Sequence, residues 1–367
     1  MANRYWVGGT ANWDGTAGSK WSLTSGGAGG EAVPGAGDDV FLDAASGAVT
    51  VTYTTSSTIG SLDCTGFTGT LTQSASTTMT MDGGGANDVC KFVAGMTYAP
   101  SAASRVLAFT NAAGTMALTS AGKTLGAITV NGAGTVQLQD NTSLLAGASA
   151  GIVTLTAGTL DVNNFTLATA IFSSSGTGTR TLSLGASGVL SLTAVTGTIY
   201  DATTATNYTV PTNGTIAVTA AVATSSRALQ LGTSKSYGCA LTIDNGATTG
   251  AGTYVDLAIG TAVTLASLSV TAPVAIRFGA GTFTITAGLA LAGSSATSVI
   301  TLLPSSGTSP TLALSAAGTA AWCAIGGIAF STNTLTATNS FDLGLNSGTL
   351  SLTGPSGAAA AARVIGG

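Results

Sequence analysis

The chain has 367 residues, of which 45% are hydrophobic and only 7% are charged, and its formal net charge is -4. Disordered chains combine few apolar residues with a high net charge, so this composition excludes a disordered protein. Ser, Thr, Gly or Asn interrupts every apolar run well before the roughly 18 consecutive apolar residues of a membrane-spanning helix. The few Lys and Arg residues are scattered along an acidic chain, which argues against nucleic-acid binding.

Residues 1–45 form a segment rich in Trp and Gly that differs from the rest of the chain. Three of the four Trp residues, Trp6, Trp13 and Trp21, lie in it. The preferred interpretation is an end cap, in which large rings cover the first coil of a stack that would otherwise expose an open edge. The alternative is a surface that contacts a glycan or a partner protein, because indole faces stack on sugar rings.

Three acidic residues, Asp38, Asp39 and Asp43, close this segment. Their oxygens could bind a calcium ion, since Ca²⁺ takes carboxylate and carbonyl ligands. Asp side chains also cap turns by accepting hydrogen bonds from nearby backbone N–H groups, and that role is preferred here. We therefore predict no metal and no cofactor.

Residues 46–353 alternate aliphatic residues with Thr, Ser or Asp in short segments, most clearly between Gly151 and Thr193. An alternation with period two is typical of strands whose two faces meet different environments. Gly, Asn or Ser clusters end each segment after a few residues, so the chain turns repeatedly. The final residues, 354–367, are small and predict a tail or an assembly contact.

An imperfect internal repeat predicts how these strands are arranged. The segment Thr58–Leu71 has a partner at Thr124–Val136, and Thr264–Val270 is a weaker copy. Short strands, glycine turns and uneven repetition predict an all-β fold, a right-handed parallel β-solenoid (β-helix) in which each coil buries its inward residues on its neighbours.

Tandem β-sandwich domains are the alternative fold, because sandwiches also use short strands at regular spacing. The dipeptides Asn131–Gly132, Asn213–Gly214 and Asn245–Gly246 could close the hairpins of such a sandwich. Against it, residues 46–350 contain no recognisable domain linker.

Four cysteines, Cys64, Cys90, Cys239 and Cys323, lie far apart without a CxxC motif, and the chain has no His to complete a zinc site. We expect free, buried, structural thiols, with one disulfide as the alternative. The first residues lack a charged stretch followed by an apolar one, so no Sec export is expected.

Acid–base catalysis needs a positioned pair of titratable groups. The chain has a single Glu, Glu31, and no His. Asp140, Asp161 and Asp201 could lie on a solenoid face, as carboxylates do in polysaccharide-degrading tailspikes, but they do not cluster in the sequence. We therefore expect a protein that is not an enzyme.

Two segments carry a resemblance to a known group of proteins. Residues 6–43 contain Trp-x-Gly-Gly, Asn-Trp, Trp-Ser, a Gly-rich stretch, a Pro and Asp-Asp-Val, and residues 300–348 contain a Ser-rich turn, Thr-Leu-x-x-Ser-x-x-Gly-Thr and Asn-Ser-Gly. This pattern resembles β-solenoid structural proteins of tailed phages and prophages, although those carry an aromatic residue where this chain has Thr349.

The resemblance implies a virion component, such as a tail fibre, a head fibre or a capsid-decoration protein. It implies assembly with other capsid or tail proteins, a trimer as the favoured homo-oligomer, and release by cell lysis rather than secretion. Contact with host-surface glycans is a further expectation, whereas membrane insertion is not expected. The alternatives are a bacterial surface adhesin or filament subunit and, third, a polysaccharide-degrading tailspike.

Overall fold

A computed structural model describes residues 1–74, 76–100, 105–147, 151–219, 225–244, 254–258, 262–271 and 273–355. Within these ranges the regular structure is β-strand, apart from one turn of 3-10 helix at Ala44–Ser46. These ranges contain no helix of the length and apolarity that crossing a membrane requires. Nearly all of the predicted tail, from residue 356 onward, lies outside the described residues.

The chain forms two compact units, Met1–Leu190 with Asn207–Thr209, and Ser191–Thr206 with Val210–Gly367. The predicted body of residues 46–353 is thus divided between both units. The strands up to residue 192 are β1 (Asn3–Trp6), β2 (Ala11–Trp13), β3 (Trp21–Ser22), β4 (Asp39–Phe41), β5 (Thr50–Tyr53), β6 (Ser57–Ile59), β7 (Ser61–Asp63), β8 (Thr70–Gln73), β9 (Thr78–Met81), β10 (Val89–Lys91), β11 (Thr97–Pro100), β12 (Val106–Phe109), β13 (Thr115–Thr119), β14 (Thr124–Leu125), β15 (Ala127–Leu138), β16 (Thr142–Leu144), β17 (Ile152–Asp161), β18 (Thr166–Thr169), β19 (Ile171–Ser173), β20 (Arg180–Ser183) and β21 (Val189–Leu192). The later strands are β22 (Gly197–Asp201), β23 (Tyr208–Thr209), β24 (Thr215–Val218), β25 (Arg227–Gln230), β26 (Lys235–Asp244), β27 (Val255–Ala258), β28 (Ala262–Thr271), β29 (Val274–Phe278), β30 (Thr282–Ala292), β31 (Ile300–Pro304), β32 (Thr311–Leu314), β33 (Gly318–Ala321), β34 (Cys323–Gly326), β35 (Ala329–Thr338), β36 (Phe341–Gly344) and β37 (Ser347–Leu352).

In the first unit the chain coils through three sides, and each strand pairs in parallel with the strand in the same position one coil later. Side A is formed by β1, β4, β7, β10, β13, the second halves of β15 and β17, β20 and β23. Side B is formed by β6, β9, β12, the first halves of β15 and β17, and β19. The third side is formed by β2, β5, β8 and β11, and later by β14, β16 and β18.

The core of this unit consists of ladders of apolar side chains, one from each coil. On side B one ladder holds Ile59, Met81, Phe109, Val130 and Leu155 in register, all fully buried. The residues between them along the strands, mostly Thr, face outward and are partly exposed. The predicted period-two alternation is therefore confirmed: aliphatic residues fill the coil interior and hydroxyl groups face water.

The second unit uses the same parallel stacking. One side is formed by β22, β25, β27, β29, β31, β34 and β36. The other two sides share the long strands β26, β28, β30 and β35, whose register shifts part-way along as the strand passes from one side to the next. The strands β24, β32, β33 and β37 extend these two sides.

These pairings confirm the β-solenoid and show that the β-sandwich alternative is wrong. Asn131–Gly132 does not close a hairpin but lies inside the continuous strand β15. Asn213–Gly214 lies in a turn before β24, and β24 pairs in parallel with β26. Asn245–Gly246 lies outside the described residues.

The three copies of the internal repeat place a small residue at a coil corner. Gly60 lies between β6 and β7, and Gly126 lies between β14 and β15. Ala266 occupies the register shift inside β28. A Cβ atom on Gly126 would lie 2.4 Å from the carbonyl oxygen of Arg105 in the preceding coil, so the corner requires a residue without a side chain.

Residues 1–45 form the first coil of the first unit and, with β4, begin its second coil. Strand β1 pairs in parallel with β4 on one edge, and on its other edge it pairs antiparallel with β3. The short strand β3 therefore covers the edge that the first coil would otherwise leave open, which is the role expected of a cap.

Candidate functional site

The three N-terminal Trp residues are core residues. Trp6, Trp13 and Trp21 are 0%, 1% and 0% exposed. Trp21 meets Trp6 and Trp13 edge to face, with ring centroids 5.1 Å apart in both pairs, and Trp13 meets Tyr53 in the same way. Because these rings are buried, they do not provide the predicted glycan-stacking surface, and the end cap stays a prediction with which their burial agrees.

The carboxylates of Asp38 and Asp39 bind protein donors. Asp38 accepts hydrogen bonds from the N–H groups of Ala2 (2.7 Å) and Gly35 (3.2 Å) and from Nε of Arg4 (3.2 Å). Asp39 accepts from the hydroxyl of Ser61 one coil later (2.7 Å) and from the backbone N–H of Ala86 (2.9 Å). The two side chains thus join segments distant in sequence, and are not limited to capping their own turn.

Asp43 takes the turn-capping role that the sequence predicts. Its carboxylate accepts from the N–H groups of Ala45 and Ser46 at the start of the 3-10 helix, and the Ser46 hydroxyl accepts from the Asp43 N–H in return. Across the described ranges, no group of three or more His, Cys, Asp or Glu side chains is arranged to hold a metal ion.

Burial and hydrogen bonding act in opposite directions on Asp38. Burial acts to raise the pKa of its carboxyl, but the N–H groups of Gly35 and Ala2 and the Arg4 guanidinium stabilise the ionised form. The net result is a pKa below the ordinary value of 3.8. Asp38 is therefore ionised at neutral pH and holds the first coil together as a charged acceptor.

The three Asp residues considered for catalysis each accept hydrogen bonds from protein donors, and for Asp140 and Asp161 some of these donors lie on other coils. Asp140 accepts from Ser120 and from a backbone N–H. Asp161 accepts from Gln137, Ser183 and Asn163. Asp201 accepts from the N–H and hydroxyl two residues later in its own turn. Hydrogen bonds from protein donors therefore engage all three carboxylates.

Side A of the first unit carries an aromatic pair that sequence reasoning missed. Tyr5 on β1 and Phe41 on β4 occupy register positions and stack face to face, with ring centroids 4.7 Å apart and an interplanar angle of 15°. Both side chains are partly exposed. The period-two alternation places both side chains on the outer face. Their contact depends on the number of residues in the coil that connects β1 to β4, because that number sets which residues lie in register.

Polar side chains continue this outer face. Asp63 and Lys91 follow Phe41 in register, on β7 and β10. Further along, Gln137 donates to Asp161 (2.9 Å). We call the outer face formed by these residues the side-A surface, with members Tyr5, Phe41, Asp63, Lys91, Gln137 and Asp161. The side-A surface combines a stacked aromatic pair with amide, carboxylate and ammonium groups.

Three arginines are buried inside the coils, which the sequence gives no reason to expect. Arg105, Arg180 and Arg227 are 2%, 0% and 1% exposed. Nε of Arg180 donates to the carbonyl and hydroxyl oxygens of Ser174, and Nη2 donates to the same carbonyl. Nε of Arg105 donates to the carbonyl oxygen of Gln73. In Arg105 and Arg180, protein oxygens thus accept the hydrogen bonds that water would accept from an exposed guanidinium.

The four cysteines are free and buried, as expected for structural thiols. Burial raises the pKa of Cys90, Cys239 and Cys323 to about 12 and that of Cys64 well above its usual value. Since the thiolate is the reactive form, these side chains are not nucleophiles at neutral pH.

No protein-family model, curated protein or solved structure matches this chain. The function proposed below therefore rests on the fold, on the side-A surface and on the motifs of residues 6–43 and 300–348.

Proposed function

We propose that the chain is a non-enzymatic structural protein of a tailed-phage or prophage particle, a fibre or capsid-decoration protein that forms a rigid, protease-resistant extension. Its location is the extracellular virion, its partners are capsid or tail proteins, and it assembles as a homo-oligomer, with a trimer favoured. The resemblance of residues 6–43 and 300–348 to such proteins supports the particle role.

The observation that carries the structural role is that polar side chains form hydrogen bonds within the protein. The carboxylates of Asp38, Asp140 and Asp161 accept hydrogen bonds from donors in other coils or turns. The strands inside the stack pair on both edges, which leaves few backbone groups for a protease to bind. Hydroxyl side chains cover the outer faces, so the surface depends little on ion pairs and tolerates changes in salt.

A second contribution, contact with a host-surface glycan, is favoured by the side-A surface. A stacked aromatic pair offers apolar surface to the C–H groups of a sugar, and Asp63 and Lys91 on the next two strands offer an acceptor and a donor to its hydroxyls. Aromatic area beside a few polar groups is the usual composition of a small-molecule site. Nucleic acid and membrane lipid are not proposed partners.

The particle role is tested by mass spectrometry of purified, nuclease-treated virions from an induced lysogen or an infected culture. We expect the chain at a constant ratio to the major capsid protein across a density gradient. Recovery of the chain from washed, uninfected cells and not from particles would instead support the bacterial adhesin or filament subunit. Release of reducing sugar from host polysaccharide by the purified chain would support the tailspike enzyme and overturn the non-enzymatic proposal.

The glycan contact is tested separately by titrating surface polysaccharide fragments into the wild type and Phe41→Ala. Removing one ring of the stack should weaken binding at least several-fold, because aromatic stacking on one sugar is lost. Thr80→Ala, on the outer face of side B, is the matched control and should bind like the wild type. Equal binding by all three proteins would remove the side-A surface from the proposal but leave the structural role intact.

A further inference from the structure

Arg227, in the second unit, differs from the buried arginines Arg105 and Arg180 in the hydrogen bonds of its guanidinium. It begins β25, is 1% exposed, and lies in register with Gly197 on β22 and Val255 on β27. Its Nη1 reaches the carbonyl oxygen of Ala194 at 3.5 Å, a long contact. Among the described residues, its Nε and Nη2 have no hydrogen-bond partner.

The two unpartnered nitrogens form one edge of the guanidinium. Nε–H and an Nη2–H point in the same direction, and this fork is the edge that binds a carboxylate or another anion with two parallel hydrogen bonds. Arg277, in the same unit, uses this edge in that way: its Nε and Nη2 donate to the carboxylate of Asp256 at 2.6 and 2.7 Å. In Arg180 the same edge is filled by the oxygens of Ser174.

A buried guanidinium whose Nε–Nη2 edge has no acceptor is energetically unfavourable. A charged donor without an acceptor keeps the full cost of its desolvation, and removal of one partner of a buried ion pair is strongly destabilising for the same reason. Burial lowers the pKa of Arg227 to about 10, so the group remains protonated at neutral pH. None of the ion pairs between described residues includes Arg227.

We propose that Arg227 binds a small monovalent anion of the halide class, chloride under ordinary conditions, on its Nε–Nη2 edge inside the second unit. One guanidinium compensates one negative charge, so a multiply charged oxyanion would leave charge uncompensated in the coil interior. The neighbouring core residues are apolar, with Val255 and Leu229 both 0% exposed, which suits a weakly hydrated single ion better than a large polar ligand. This inference does not depend on the virion role.

The direct test is crystallography of the wild type with bromide in place of chloride. We expect an anomalous bromide peak within hydrogen-bonding distance of both Nε and Nη2 of Arg227, and none on the corresponding edge of Arg277, where Asp256 already sits. An ordered water or a protein oxygen on the Arg227 edge, without anomalous signal, overturns the proposal. Bromide at other surface sites only also overturns it.

The second test measures thermal unfolding at constant ionic strength while chloride replaces gluconate, a much larger monovalent anion. A ligand that binds only the folded state stabilises it by RT ln(1 + [L]/Kd), so the Tm of the wild type should rise with the logarithm of chloride concentration. Arg227→Met should lose this dependence. Arg277→Met, which removes an arginine whose fork is already filled, should retain it.

Arg227→Lys is the second variant, in case Arg227→Met does not fold. It keeps the charge but lacks the fork, so its chloride dependence should be at least several-fold weaker in apparent affinity. A wild-type Tm that is independent of chloride at constant ionic strength contradicts the proposal, whatever the variants do.

Discussion

Trp6 and Trp21 lie opposite each other on the antiparallel strands β1 and β3, and their rings meet edge to face with centroids 5.1 Å apart. The contact joins the first strand of the stack to the strand that covers it. Edge-to-face aromatic pairs contribute about 0.5–1.5 kcal/mol beyond the area they bury. The cap is therefore held by ring packing as well as by the short strand pairing.

Trp21→Ala should open this cap. Removal of a fully buried Trp costs about 3–5 kcal/mol of unfolding free energy, because the transfer term and the cavity term add. We expect a lower Tm and faster proteolytic cleavage within residues 1–45, measured by limited proteolysis with mass spectrometry. Leu23→Ala is the matched control: Leu23 lies two residues away, is 47% exposed, and should change little. Equal proteolysis of both variants would contradict the cap.

Asp38→Asn should destabilise the first coil in a pH-dependent way. The substitution removes the charge that accepts from Ala2, Gly35 and Arg4, and such charge-assisted bonds contribute about 1.5–3 kcal/mol each. The folded-state pKa of Asp38 is lowered, so its contribution is fully present above the unfolded value of 3.8 and is lost as the pH falls through the lower folded value.

The measurement is the Tm of wild type and of Asp38→Asn between pH 7 and pH 2.5. The lower limit lies about one unit below the ordinary pKa of Asp. The gap between the two curves should be widest near neutral pH and close in acid. Asp14→Asn, which removes a side chain bonded to Lys20 and a local turn, is the control and should give a smaller gap. A Tm difference between wild type and Asp38→Asn that grows in acid would contradict the lowered pKa of Asp38.

Gly126→Ala should be destabilising because of crowding between coils. The added Cβ would lie 2.4 Å from the carbonyl oxygen of Arg105, which itself accepts from the Ala127 N–H. Relief of such a clash costs about 1–3 kcal/mol. Gly15→Ala is the control, since nothing lies within 4 Å of its Cβ position. Chemical denaturation of both variants checks the difference, and equal midpoints would mean that the corner does not need a glycine.

Arg277 and Asp256 should show measurable coupling in a double-mutant cycle. The pair is bidentate on adjacent strands, and the Arg277 guanidinium also lies 4.1 Å from the centroid of the Tyr254 ring. Both side chains are partly exposed, so solvent screening limits the coupling to about 1 kcal/mol. The cycle uses Arg277→Met, Asp256→Ala and the double variant, with unfolding followed at low and high salt. Coupling that does not fall with salt would argue against an electrostatic origin.

The sequence by itself determined that the chain builds parallel coils. Alternation such as Thr58–Ile59 and Thr129–Val130 decides which side chains point inward, because a strand has a two-residue period and needs no knowledge of its neighbours. The small residue in each repeat copy, for example Gly126, marks a corner for an equally local reason. The turn-capping role of Asp43 is also readable, since its donors are two and three residues away.

Only the tertiary structure decided which side chains meet. Successive register partners on side B, namely Thr58, Thr80, Ala108, Thr129 and Thr154, are separated by coils of unequal length. Because each coil's loops set its length independently, no fixed period relates one coil to the next. The stack of Tyr5 on Phe41, the burial of Trp13 and the lack of an acceptor among the described residues for Nε and Nη2 of Arg227 depend on the register of their own strands, so local patterns could not predict them.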